Sequence, residues 1–315
     1  MMFPYLLRRI LHALLILLGA FTFSFILLQV MPGDAITVKF QDPDLGLTPQ
    51  QIAEIRLSYG ADGSRVAQYF HTLTGMLRGD FGYSVQQGVP VSTLLRTTLP
   101  VTLRLAAFSF VVAILEAMAI AFLATALPFA FLRRMLAALP GFLGAIPVFW
   151  FGIALIQFLS FKLRLVPVVG AGPYEAMILP TLAISLPIGA PLAQVLLGNL
   201  DEIAARPFVA VVRTKGAGAL WTLFHHVAPN AILPFLTISG LVFGELLAGA
   251  VVTETIFGLN GIGQLTQQAV AGQDVAVLQA VVMISAAAYV LINLTIDLVY
   301  PLFDPRIHLQ GRTMS

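Results

Sequence analysis

The chain has 315 residues, 58% hydrophobic and only 10% charged, with a formal net charge of +2 and no cysteine; its mean hydropathy is +0.92. A soluble domain carries about 25% charged residues, so lipid rather than water must cover much of this surface. The small net charge leaves no electrostatic footprint for nucleic acid, and the lack of cysteine excludes disulfides, thiolate metal sites and cysteine nucleophiles.

An apolar helix needs about 20 residues to cross a ~30 Å hydrocarbon core. Six runs meet that need: Ile10–Val30, Val101–Leu127, Met135–Phe161, Met177–Leu200, Ala231–Val252 and Val275–Leu302. The first is too long for the core of a cleavable signal, and no A-x-A site follows it. Arg8 and Arg9, Arg133 and Arg134, Arg206, Arg213 and Lys215, and Arg306 and Arg312 all fall on one side of such a bundle. Cytoplasmic loops hold the excess of Lys and Arg, so both termini are expected in the cytoplasm. Loop 254–274 on the opposite side has neither residue, whereas loop 161–176 carries Lys162 and Arg164. Residues 31–100 lie on the outer side and are mixed polar, with Asp34, Asp42, Asp44, Glu54, Asp62 and Asp80 against Lys39, Arg56, Arg65, Arg78 and Arg96. Thr48-Pro49-Gln50-Gln51 reads as a helix start. A small extracytoplasmic subdomain is expected there.

Residues 206–230, between the fourth and fifth spans, are the most informative stretch. Pro207 suits a helix start, Gly216 and Gly218 break the helix, and a second short helix is expected from Ala219 to Ala228, stopping at Pro229-Asn230. Phe208, Val211, Val212, Trp221 and Phe224 are much apolar surface for a cytoplasmic loop, and such surface marks a protein interface or packs on the chain's own span ends. His225 and His226 point about 100° apart on a helix and do not converge on one metal ion.

Glu116, Glu245 and Asp297 fall within or near apolar spans. A charge at the bilayer centre costs about 3 kcal/mol on insertion scales, so each is a candidate for a polar path or for an internal hydrogen bond. Pro128, Pro140, Pro147, Pro180, Pro187, Pro191 and Pro234 punctuate the spans and free backbone carbonyls inside the bundle. Gly258-x-x-Gly261-x-Gly263 has no strand–helix context for a phosphate loop, and no G-x-x-x-x-G-K-[ST] occurs. Neither HExxH nor G-x-S-x-G is present to support a membrane-embedded hydrolase.

Several motifs occur in an order that resembles one family. Gly216 and Pro229 match the frame of the cytoplasmic "EAA" loop of binding-protein-dependent ABC importers. Lys215-Gly216 and His226-Val-Ala-Pro-Asn230 resemble the dipeptide/oligopeptide/nickel branch, although Ala210-Val211-Val212 replace its usual R-T-A or E-A-A. Met31-Pro-Gly-Asp34, Arg78-Gly-Asp-Phe-Gly-Tyr-Ser84, Pro90-Val91, Leu99-Pro-Val-Thr-Leu103, Thr253-Glu-Thr-Ile-Phe257, Gly261-Ile-Gly263, Asn293-Leu-Thr-Ile-Asp297, Tyr300 and Asp304-Pro-Arg-Ile307 also match, with Asn260 where a proline is usual.

The resemblance implies an all-α, six-span type I ABC importer permease of the B type in the bacterial inner membrane. Its parts would be a tail and first span at 1–30, a periplasmic subdomain at 31–100, a core at 101–302 with a coupling loop at 206–230, and a cytoplasmic tail at 303–315. Arg213, Lys215, Gly216, Trp221, Phe224, His226, Pro229 and Asn230 would contact the ATPase; Glu116, Glu245 and Asp297 are the path candidates. The implied partners are a C-type permease chain, two cytoplasmic ATPases that bind ATP and Mg, a periplasmic solute-binding protein and the lipid bilayer. The chain itself would be non-catalytic and bind no cofactor or metal. Small peptides are the expected cargo, with nickel or a metal chelate as the alternative. A stand-alone ion-coupled transporter, with the three carboxylates as a relay, is the competing reading.

Overall fold

Hydrocarbon offers no partner to a backbone N–H or C=O, so apolar runs close those bonds locally as helices. A computed structural model of the protein describes residues 2–30, 48–51 and 64–303. The elements are α1 (Met2–Val30), α2 (Arg65–Leu77), a hairpin of β1 (Tyr83–Ser84) and β2 (Val89–Pro90), α3 (Val91–Ala126), α4 (Ala130–Gly144), α5 (Val148–Leu155), α6 (Glu175–Ala204), α7 (Pro207–Thr214), α8 (Ala219–Thr222), α9 (Ala228–Phe257), α10 (Ile262–Ala271) and α11 (Val275–Phe303). π-Helical turns follow α5 at Ile156–Lys162 and join α8 to α9 at Leu223–Val227. The Met31–Asp34 motif, Lys39, Asp42, Asp44, Glu54, Arg56, Asp62, the Asp304–Ile307 motif and Arg312 lie outside the described residues.

Among the described residues, five helical stretches are long and apolar enough to cross a membrane, or six if the bent pair α4–α5 counts as one span. That pair occupies the third span expected over Met135–Phe161, and its axis turns by 105° between Gly144 and Val148. Pro147, with an extended backbone (φ −63°, ψ 132°), starts α5. It donates no hydrogen bond and biases Ile146 before it away from helical geometry, which suits a helix start at this break. The second span begins at Val91, ten residues or nearly three helical turns before the apolar run, and carries Pro100 within it.

Two compact units divide the described chain, one within 104–257 and 291–303 and the other within 2–103 and 258–290. In the first unit α6 is the hub and packs on α9, α4 and α5. Its apolar stretch is 67% buried, with Leu179, Ile184, Leu192, Leu196 and Leu200 enclosed beside Phe235 and Leu246 of α9. Phe110 of α3 meets Phe243 of α9 edge to face at 5.5 Å. A helix apolar on every side is stable only when surrounded, and α6 satisfies that inside its own chain.

The second unit has a core of Val91, Leu95, Ile262, Leu265, Ala269, Val277 and Val281. The expected start at Thr48 is a capping box: the Thr48 N–H donates to Gln51 Oε1 at 2.8 Å and the Gln51 N–H to Thr48 Oγ1 at 3.3 Å. Tyr69 of α2 sits edge-on to Phe21 and Phe25 of α1, at 5.2 and 5.3 Å, with its hydroxyl 2.8 Å from Thr22 Oγ1. Asp274, almost fully buried, caps α11 through the Val277 N–H at 3.4 Å. The same carboxylate accepts from Ser84 Oγ at 2.6 Å and from the Gln86 N–H at 3.2 Å, so the hairpin is tied to the α10–α11 turn.

Hydrogen bonds to a charged partner contribute about 1.5–3 kcal/mol each, and an orphaned buried donor costs about 1–3 kcal/mol. Asp274→Ala is therefore expected to lower stability by about 3 kcal/mol or more, read as a drop in thermal midpoint of the detergent-purified protein. A midpoint equal to wild type would show that the carboxylate does not hold the hairpin.

Candidate coupling surface and path residues

Residues 206–230 join α6 to α9. Arg206 is extended (φ −70°, ψ 145°) and Pro207 opens α7. The Arg206 guanidinium lies 2.7 Å from Glu202 one turn back, an exposed pair of small energetic worth. α7 ends at Lys215, and Gly216 follows with φ +89°. A Cβ there would meet nothing within 4 Å, so the demand for glycine is set by the backbone alone. The left-handed region costs other residues about 1–2 kcal/mol. The chain then extends at Gly218 (φ −65°, ψ 156°) and enters α8.

Val209, Thr222, Leu223 and Val227 are buried and pin the two arms of the elbow, while Phe208, Val211, Leu220, Trp221 and Phe224 are each at least 40% exposed. Amphipathic arms of this kind present one packed face and one free apolar face. The Trp221 ring stacks on His225 at 4.8 Å and meets the edge of His226 at 5.0 Å. Phe224 lies 5.3 Å from Phe122 of α3. Among the described residues no three His, Asp or Glu side chains gather as a metal site. Arg213 and Lys215 are exposed, with no ion pair among the described residues.

The second arm does not stop at Pro229, contrary to the sequence expectation. It runs on from Ala219 to Phe257 as one helical stretch. The π turn explains how: the Ala228 N–H bonds the Leu223 carbonyl, five residues back. The wider turn gives the Pro229 ring room that a regular turn denies it. Asn230 Nδ2 donates to the His226 carbonyl at 2.8 Å, so the His226-x-x-x-Asn230 pattern works through the histidine backbone, one helical turn away.

The three carboxylates have different surroundings. Glu116 is half-buried on α3, and its Oε1 is buried with no hydrogen-bond partner. It lies against Gly189 of α6, where an added Cβ would fall 2.9 Å from Glu116 Cδ. Glu245 on α9 is exposed within this chain. It lies two residues, about 200° of helical turn, from Phe243, whose ring meets Phe110. No hydrogen bond joins the two acids among the described residues. Asp297 lies on the helical backbone of α11, with its side chain outside the described residues. Sequence reasoning missed Gly189, Asp274 and the fully buried Glu254; only the Pro-Ile-Gly-Ala-Pro run around Gly189 signalled anything unusual.

This arrangement is the fold of an ABC importer's membrane subunit. The MetNI methionine ABC transporter, solved in an inward-facing conformation, superposes with a TM-score of 0.56 over 67% of this chain and 96% of that one, at 18% identity. An amino acid ABC transporter gives 0.50 over 68% and 94%, at 17% identity. The chain belongs to the binding-protein-dependent transport system inner membrane component family, which matches residues 123–309, and the corresponding N-terminal family matches residues 2–106.

Relatives include the probable peptide ABC transporter permease protein y4tP of Sinorhizobium fredii, 34% identical over 96% of this chain and 98% of the relative. The oligopeptide transport system permease protein AppB of Bacillus subtilis is 32% identical over 97% and 99%. The glutathione transport system permease protein GsiC of Salmonella typhimurium is 31% identical over 97% and 99%. The protein is thus a multi-pass inner-membrane permease subunit of an ABC importer. It is non-catalytic and works with ATPase and binding-protein partners.

Gly216→Val adds a β-branched side chain at positive φ, which costs about 1–2 kcal/mol of backbone strain and turns the second arm. The variant is expected to reach the membrane at normal abundance but to co-purify less of its ATPase partners. Equal co-purification, with ATP hydrolysis still stimulated by loaded binding protein, would rule this elbow out as the docking element.

Proposed function

We propose that this chain forms one half of a translocation path for short peptides, beside a second, C-type permease chain. The segment 31–100, of which residues 48–51 and 64–100 are described, lies on the outer side, both termini are cytoplasmic, and the elbow at 206–230 receives the ATPase. The observation that carries the reading is the elbow itself, whose inner face is pinned and whose outer face is apolar and free. Flanked by Arg213 and Lys215, that face fits a groove with an apolar floor and an acidic rim. The departure at Ala210-Val211-Val212 fits the same apolar contact.

The peptide reading is supported by relatives named for peptide, oligopeptide and glutathione transport. Those names lend no support to nickel or a metal chelate. The match along nearly the whole chain also favours the importer over a stand-alone ion-coupled transporter. Glu116 and Glu245 suit a path that accepts a peptide amino terminus. An exposed carboxylate on a membrane helix is costly in lipid, and a path or a second permease chain would cover Glu245.

Removing a charge-assisted hydrogen bond costs about 1.5–3 kcal/mol. Glu116→Gln or Glu245→Gln is accordingly expected to slow peptide uptake about tenfold or more, with the transporter still assembled. Unchanged uptake in both variants would make both acids structural. For orientation, Gln87→Cys and Ala219→Cys are suitable single-cysteine probes, since both positions are exposed and the chain has no native cysteine. Thr222 is fully buried and would be a poor reporter. An impermeant maleimide added outside intact spheroplasts is expected to label Gln87→Cys and spare Ala219→Cys; the opposite pattern inverts the topology.

A further inference from the structure

We infer that Gly189 is a positioning residue for the Glu116 carboxylate: α6 omits a side chain there so that the acid can lie against the helix inside its own unit. The inference rests on the proposed path role of Glu116 and names what holds that group in place.

Three observations on one stretch of α6 carry it. First, the three atoms nearest to an added Cβ at Gly189 all belong to Glu116, with Cδ at 2.9 Å and Cγ at 3.0 Å. Glycine inside a helix costs about 1 kcal/mol relative to alanine, and the space it leaves here is filled by a carboxylate side chain. Close approach of two helix backbones, the usual reason for glycine in a membrane helix, does not account for this contact. Second, Gly189 lies in Pro187-Ile188-Gly189-Ala190-Pro191, within helix α6. Neither proline has an N–H to donate, so the carbonyls of Ala183 and Pro187 receive no regular helical bond from them. Third, Ser185, one turn before Gly189 on the same side of α6, is fully buried, and its Oγ has no partner. Glu116 Oε1 is likewise buried and unpartnered.

The carbonyls of Ala183 and Pro187 and the Glu116 carboxylate are acceptors, and the Ser185 hydroxyl is the one side-chain group among these that can also donate. An acceptor-rich, donor-poor cradle has the polarity to receive a cationic group such as an ammonium. The geometry also fixes what a methyl group would do. The clash falls on the far end of a flexible side chain, so the carboxylate would be displaced while the helix backbone stays in place.

The experiment measures uptake of a labelled tripeptide by the complete transporter, with both permeases, the ATPases and the binding protein, normalised to the membrane abundance of this chain. Gly189→Ala is expected to reduce uptake about tenfold. Adding Glu116→Asp, one methylene shorter, is expected to restore most of the loss. Adding Glu116→Ala, which empties the same space without supplying a carboxylate, is expected not to restore it. Wild-type uptake in Gly189→Ala overturns the inference, as does failure of Glu116→Asp to rescue. Equal rescue by Glu116→Ala and Glu116→Asp also overturns it, since that pattern belongs to packing alone. Glu116→Gln with Gly189 intact separates the two levels: normal uptake there removes the path role itself, while a defect there beside a normal Gly189→Ala removes only the positioning role.

Discussion

Backbone hydrogen bonding in hydrocarbon is the constraint on which the rest of this structure depends. With no water to take up a stray N–H or C=O, each apolar run must close its bonds within a helix, and every interruption needs a local remedy. Two interruptions among the described residues have a visible physical consequence. Pro147 ends one helix and starts another, which turns the third span through 105°. Pro229 is admitted by widening the helix to a π turn at Leu223–Val227, and Asn230 returns a side-chain donor to the His226 carbonyl. Pro187 and Pro191, which have no N–H to donate, flank Gly189, against which Glu116 rests. Pro147 and Pro229, which read as scattered punctuation in the sequence, thus mark a break and a wide turn.

The same low-dielectric environment separates the acidic residues by their surroundings. Asp274 takes three donors and ties a hairpin to a helix start; a carboxylate so fully satisfied is structural. Glu116 leaves one oxygen buried and unpartnered, and Glu245 turns outward from its own chain. Buried polar groups without partners are rare enough to need an explanation. In a subunit that works only as part of an assembly, that explanation is sought in what passes through or packs against it.

The elbow at Gly216 shows how one residue's backbone sets the shape of an exposed apolar surface. One positive φ sets the angle between two short amphipathic arms, and the buried anchors Val209, Thr222, Leu223 and Val227 fix their orientation. The second arm continues without a stop into α9, so Trp221 and Phe224 sit on the same helical stretch as the fifth span.

The amino-acid sequence by itself determined the membrane class, the number of apolar runs, the glycine elbow and the helix start at Thr48, because each depends on composition or on neighbours within a few residues. Its motif order also pointed to the permease family. Tertiary structure decided what depends on residues far apart in the chain. The capture of the hairpin by Asp274 joins positions about 190 residues apart, and the burial of Glu116 against Gly189 joins two different spans. The continuity through Pro229 belongs to the same class: a proline followed by asparagine reads as a stop wherever regular helix geometry is assumed. Only the placement of the π turn, with Leu223 and Val227 buried at its two ends, makes the wider geometry the one the chain adopts.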